Sequence, residues 1–341
     1  GPTDRRWRGV EVIWLTWRQH RGQILVLAVG LLVLGALLLL TGRPMHDAFA
    51  DTGLDGCLRT QGDPAFVPVT GEGGCIELAE AFASRFFNER LLALVAFILL
   101  PVMAGMFLGA PVVARELEQG THQLVWTQGV SRTRWAVTKL VMLSLILLAV
   151  AGLFALMVDW WFEPLNRATG DRFTWLIFDQ QGSVLAGYAL FAFALGVLAG
   201  AVTRRTVRAM GITLASFFVV RFAVAAWIRP HYLGTLERTY PLSADRMPNP
   251  FRSDFVIGGG GPGIGGIYDA AGRFIKGGQT FCPQPMPAEC VSEYGRGAYN
   301  LEIFQPASRY WLFQGIETLL FAGMAVVLLI GAIWWIRRRL T

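Results

Sequence analysis

Residues 91–113 read LLALVAFILLPVMAGMFLGAPVV, twenty-three residues without one charged side chain. Coiled as an α-helix, such a run is about 35 Å long, enough to cross the roughly 30 Å of a bilayer's hydrocarbon. Five more apolar runs flank it, at 24–41, 140–158, 182–203, 209–228 and 310–336. Arg221 interrupts the fifth of the six and Glu317 the sixth. The first has no small-residue cleavage site after it, so it reads as a span and not as a signal peptide.

Composition agrees. Of 341 residues, 54% are hydrophobic and 16% charged, against about a quarter charged in a soluble domain. A soluble fold of this size could not cover its core with so few polar residues. That excludes a disordered chain, a nucleic-acid-binding domain and almost any soluble enzyme. The expected fold is an all-α polytopic membrane protein with six transmembrane helices.

Six spans place both termini on one side. The segments on that side, 1–23, 114–139, 204–208 and 337–341, carry fifteen Lys and Arg against four acids, a net +11. The opposite side carries a net −5, while Arg221 and Glu317 cancel inside the membrane. The positive-inside rule then predicts cytoplasmic termini, with extracellular loops at 42–90, 159–181 and 229–309. The last is long enough for a small cap. Its Gly258, Gly260 and Gly263 have G-x-G-x-x-G spacing, but no strand leads into them, and a turning or flexible loop is the better reading.

All four cysteines, Cys57, Cys75, Cys282 and Cys290, fall on the predicted outer side. An oxidising exterior and an even count favour two disulfides. Three pairings are open, of which the local ones cost least chain entropy. No histidine stands at ligand spacing beside them, which argues against a metal site.

On the inner side, Trp7, Val10, Trp14 and Trp17 make one stripe of a helix, followed by Arg18, His20 and Arg21. Residues 7–21 therefore read as an amphipathic helix at the membrane surface, or as an extension of the first span with interfacial anchors. Small residues one turn apart, Gly105/Gly109 and Gly196/Gly200, would let two helix backbones approach, although chance spacing is as good an account. Pro101 should kink the second span. Arg221 and Glu317 each sit about 10 Å below the outer surface. Pairing them would relieve the cost of burying either charge, about 2.5–3.5 kcal/mol for an arginine at mid-bilayer.

The inner segment 114–139 is the longest on its side. Arg115, Glu116 and Glu118 lie on a short charged helix that Gly120 would stop, and Thr121 could cap a second one carrying Leu124, Val125 and Trp126. A docking surface and a plain solvated hairpin suit this composition equally.

The pattern R-E-x-E-x-G-T-x-x-L, then G-V-S-R with Lys139 opening the next span, resembles the permease subunits of type-2 ABC exporters. The opening W-L-T-W-R-Q is similar to actinobacterial members, and a preference for Arg over Lys of 28 to 2 suits a GC-rich genome. The resemblance implies a multi-pass bacterial plasma-membrane permease with an N-terminal surface helix. It implies a coupling element containing Arg115, Glu116, Glu118, Gly120, Thr121 and Arg132, seated on a separate ATPase. It implies a homodimer of permeases with two ATPase copies, exporting an amphipathic drug or lipid. By the same resemblance Phe97, Phe107, Phe217, Phe218 and Phe222, in spans two and five, would line the substrate path, although packing is the plainer role for each.

The chain itself lacks Gly-Lys, and so any phosphate-binding P-loop. It is therefore expected to be no enzyme alone and to need no cofactor, with ATP and magnesium bound by the partner. No catalytic constellation is visible. Two other readings stand beside the exporter: a proton-coupled secondary transporter using Glu317, and a non-transporting membrane protein.

Overall fold

A computed structural model describes the chain except residues 1, 62–64, 69–73, 120–131, 243–245, 258–264, 283–285 and 340–341. Six of its helices are long and apolar enough to cross a membrane: Ile24–Asp51, Phe87–Glu118, Thr133–Thr169, Val184–Thr203, Thr206–His231 and Ala307–Arg338. They are spans one to six, and each contains the corresponding apolar run or most of it.

Span four is the hub. In its most apolar stretch 83% of residues are buried, against 11% in span one. Spans two, three, five and six all pack on it. Composition explains the position: Gly and Ala, nine of the twenty residues 184–203, permit close contacts, and Tyr188, Phe191 and Phe193 supply rings between them. Exposed Leu and Val of the outer spans, such as Leu32, Leu92 and Val327, face outward where lipid would lie.

The glycine pairs of spans two and four meet each other. A Cβ on Gly105 or Gly109 would overlap the Ala192 or Phe193 carbonyl, and one on Gly196 or Gly200 would overlap the backbone of Gly105 or Ala110. The two backbones touch along this seam because no side chain stands between them. Pro101 lies inside a helix, and the irregularity beyond it is one π-helical turn at Gly105–Gly109.

Residues 2–51 form one unbroken helix, so the tryptophan stripe shares a helix with span one. On the side opposite the termini, the first loop continues that helix to Asp51 and adds helices Leu54–Gln61 and Cys75–Arg85. The Cys57–Cys75 disulfide staples them, with Cα atoms 5.7 Å apart. The third loop departs from a purely helical picture. Strands β2 (Leu236–Pro241), β4 (Phe255–Val256), β5 (Gly266–Tyr268), β6 (Phe274–Lys276) and β7 (Tyr299–Gln305) make a five-stranded antiparallel sheet. Strands β1 (Phe66–Pro68) and β3 (Arg246–Pro248) pair separately and tie the first loop to the third. Cys282 and Cys290 are joined, Cα atoms 6.3 Å apart. Both disulfides are the local pairings, and the Gly258–Gly263 run falls outside the described residues.

Candidate functional site

Two clusters of buried charge stand out in the bundle, one toward each end.

The first lies where spans four, five and six converge near the side opposite the termini. Arg221 donates to Asp179, through Nη2 at 2.8 Å and Nε at 3.0 Å. Arg229 donates to Glu317, through Nε to Oε2 at 2.8 Å and Nη2 to Oε1 at 2.7 Å, and its Nη2 also reaches Asp179. The Tyr188 hydroxyl stands between the carboxylates, 2.9 Å from Asp179 and 2.5 Å from Glu317, and accepts from Arg229 at 3.1 Å. Tyr232 donates to Glu317 at 3.1 Å. Burial, and then the Glu317 carboxylate, hold the Tyr232 hydroxyl well above the ordinary phenol range, so it stays a donor. Glu317 and Arg229 are 0% exposed and Arg221 6%.

These contacts correct one expectation. Arg221 and Glu317 share a network but are not each other's ion pair: Asp179 takes Arg221, and Arg229 takes Glu317. Two guanidiniums and two carboxylates sum to zero, which is what lets so much charge sit away from water. Phe178 covers the Arg229 guanidinium and the Tyr188 ring covers that of Arg221. The Arg229 Nη1 is buried with no acceptor among the described residues.

Local geometry explains how two arginines eight positions apart reach one cluster. A regular α-helix returns to the same face after about 7.2 residues, two turns of 3.6. Span five has a π-helical turn at Val224–Ile228. Its wider i→i+5 pitch absorbs about one extra residue, so Arg221 and Arg229 fall on one face. Asp179 arrives from the segment before span four. The short helix Trp175–Phe178 ends there, and residues 177–182 are all buried. Asp179 and Arg229 each lie just outside an apolar run, which is why the sequence predicts both in loops. The available signal was an acid standing directly after the apolar run Trp175–Phe178.

The second cluster lies at the termini end, at the stems of the 120–131 segment. Lys139 of span three is 2% exposed. It donates to Glu116 at 2.7 Å and to the Val112 carbonyl at 3.0 Å, and lies over the Trp135 ring. Glu118 accepts from the Thr206 backbone N–H at 3.0 Å and from its hydroxyl at 2.8 Å. A carboxylate there meets the open N–H groups and positive dipole end of span five. Both glutamates are thus engaged within the chain, Glu116 with span three and Glu118 with span five. Gly120 and Thr121 lie outside the described residues, as does the Arg132 side chain. Arg115 is exposed at the end of span two.

The five phenylalanines divide. Phe97 is buried among Phe154, Trp161 and Phe162, and Phe217 among Tyr188, Phe191 and Phe218. Phe218 is half-buried. Phe107 and Phe222 are 51% and 63% exposed, on the outside of the bundle. Within one chain they do not converge on a common path. Among the described residues no group of three or more His, Cys, Asp or Glu is placed to hold a metal ion.

A family model described as ABC-2 membrane transporter related matches residues 28–229, more than half of the chain. No protein of curated function and no solved structure matches it.

Proposed function

The chain belongs to the ABC-2 membrane transporter related family, and from that premise we propose that this transporter permease works as the membrane subunit of an ATP-driven exporter. Its termini and the 120–131 segment face the cytoplasm, where a separate ATPase, in two copies, binds ATP and magnesium. Two permease chains make the transport unit in a bacterial plasma membrane. An amphipathic drug or lipid is the cargo.

The observation that carries this reading is the wiring of the 120–131 stems. A force applied there meets span three through Glu116–Lys139 and span five through Glu118–Thr206. Such a segment can convert movement of a docked partner into movement of two spans. At the other end, the Asp179–Arg221–Arg229–Glu317 network ties spans four, five and six to the loop before span four. Those elements then shift together when the outer side opens. Glu317 is closed to solvent between Arg229 and two tyrosine hydroxyls, which weighs against the proton-coupled alternative.

The test is co-purification of an ATPase with the full chain, and its stimulation by cargo in reconstituted vesicles. Glu118→Ala should leave the ATPase bound and reduce cargo-stimulated hydrolysis. A chain that moves cargo without any ATPase, or binds none, overturns the reading.

A further inference from the structure

Span one packs on span three and leaves an apolar slot between itself and span two. Gly22, Val26, Gly30 and Leu34 form one wall, a row repeating every four residues; Leu100 and Phe107 stand on the other. The wide part has a volume of about 540 Å³ and continues into a deeper recess of about 170 Å³ floored by spans three and four. All of its lining residues are apolar.

Two observations say what fills it. Gly22 to Leu34 spans twelve residues, about 18 Å of helix, close to the roughly 15 Å of one leaflet's hydrocarbon. The row continues one turn below Gly22 at Arg18, which is exposed, with exposed Arg21 beside it and exposed Arg115 at the end of span two. The slot thus runs from a basic mouth at the termini end to an apolar floor. We propose that it seats one acyl chain of an anionic phospholipid from the leaflet on the termini side, with the headgroup phosphate against Arg18 and Arg21. A zwitterionic lipid would fit the slot equally but gain less at the mouth, where each nearby arginine favours an anionic surface by a factor of about five. The site stands apart from the exporter reading, since lipid retention is measured without an ATPase or cargo.

A Cβ added at Gly30 meets nothing within 4 Å. Gly30→Phe therefore projects into space next to the slot and leaves helix packing alone. Gly211→Phe, also in open space but on span five, is the control. Full-length protein is taken from nanodiscs of equal phosphatidylglycerol and phosphatidylcholine and its retained lipid counted by native mass spectrometry. The wild type should keep one lipid per chain, mostly phosphatidylglycerol. Gly30→Phe should lose it whatever its headgroup, and Gly211→Phe should keep it. Arg18→Gln with Arg21→Gln should keep a lipid and lose the preference by fivefold or more. Unchanged retention and preference in Gly30→Phe overturns the proposal. So does an unchanged lipid count with loss of a dimer, which would make the slot a seat for a second copy of the chain.

Discussion

Arg229 and Glu317 meet as two forks: Nε on Oε2 and Nη2 on Oε1, at 2.8 and 2.7 Å, both side chains 0% exposed. Planar two-pronged contacts of this kind depend on shape as well as charge. Glu317→Gln leaves a buried guanidinium short of one negative charge and should destabilise the bundle by about 3–5 kcal/mol. Arg229→Lys keeps the charge but cannot make both prongs, so it should also lower the thermal midpoint in detergent. A wild-type midpoint in both variants would mean the pair carries no stability.

The partner of Arg221 can be read from coupling energies. Arg221→Gln combined with Asp179→Asn should show an interaction of about 0.5–3 kcal/mol in a double-mutant cycle. Arg221→Gln with Glu317→Gln should show less, because the two residues touch only common neighbours. Denaturant titration of the three single and two double variants decides it, and equal couplings would contradict the observed pairing.

Glu116 and Lys139 should not be equivalent. Lys139 is 2% exposed at the side chain and Glu116 19%. Glu116→Ala strands a buried ammonium and should cost about 3–5 kcal/mol. Lys139→Met fills the same space and strands a less buried carboxylate, so it should cost less. Thermal unfolding of the two variants measures the asymmetry.

The seam between spans two and four predicts a steep glycine dependence. Gly196→Ala pushes a methyl into the Gly105–Ala110 backbone and should cost about 1–3 kcal/mol, and Gly105→Ala should behave alike. Gly211→Ala, where nothing lies within 4 Å, should be near neutral and sets the baseline for measured midpoints.

The spans were legible because a run such as 91–113 has one stable environment, and burial of its length is a local property. The glycine seam was half legible. The spacing of Gly105/Gly109 and Gly196/Gly200 shows that each helix can be approached closely, but not that the two approach each other. The partners within the ion network were not legible for a related reason. Arg221 and Glu317 were the visible intramembrane charges, while Asp179 and Arg229 sit a few residues beyond the apolar runs, and only tertiary folding draws them inward. Lys139 was not legible as a buried cation, because its acceptors, Glu116 and the Val112 carbonyl, come from span two. The five-stranded cap was the least legible element, since its strands are two to seven residues long and pair across intervening turns.

The π-helical turn in span five makes the distance between Arg221 and Arg229 a matter of counting. Removing one residue from Val224–Ile228 would restore an ordinary helix with the two arginines seven positions apart, close to the 7.2 residues of two turns. Arg229 would then stay on the face it shares with Arg221, with every side chain of the network still present. Substitutions within 224–228 that keep the helix should be absorbed. A single codon insertion there should instead turn Arg229 off that face by about 100° and be as damaging as losing the arginine itself.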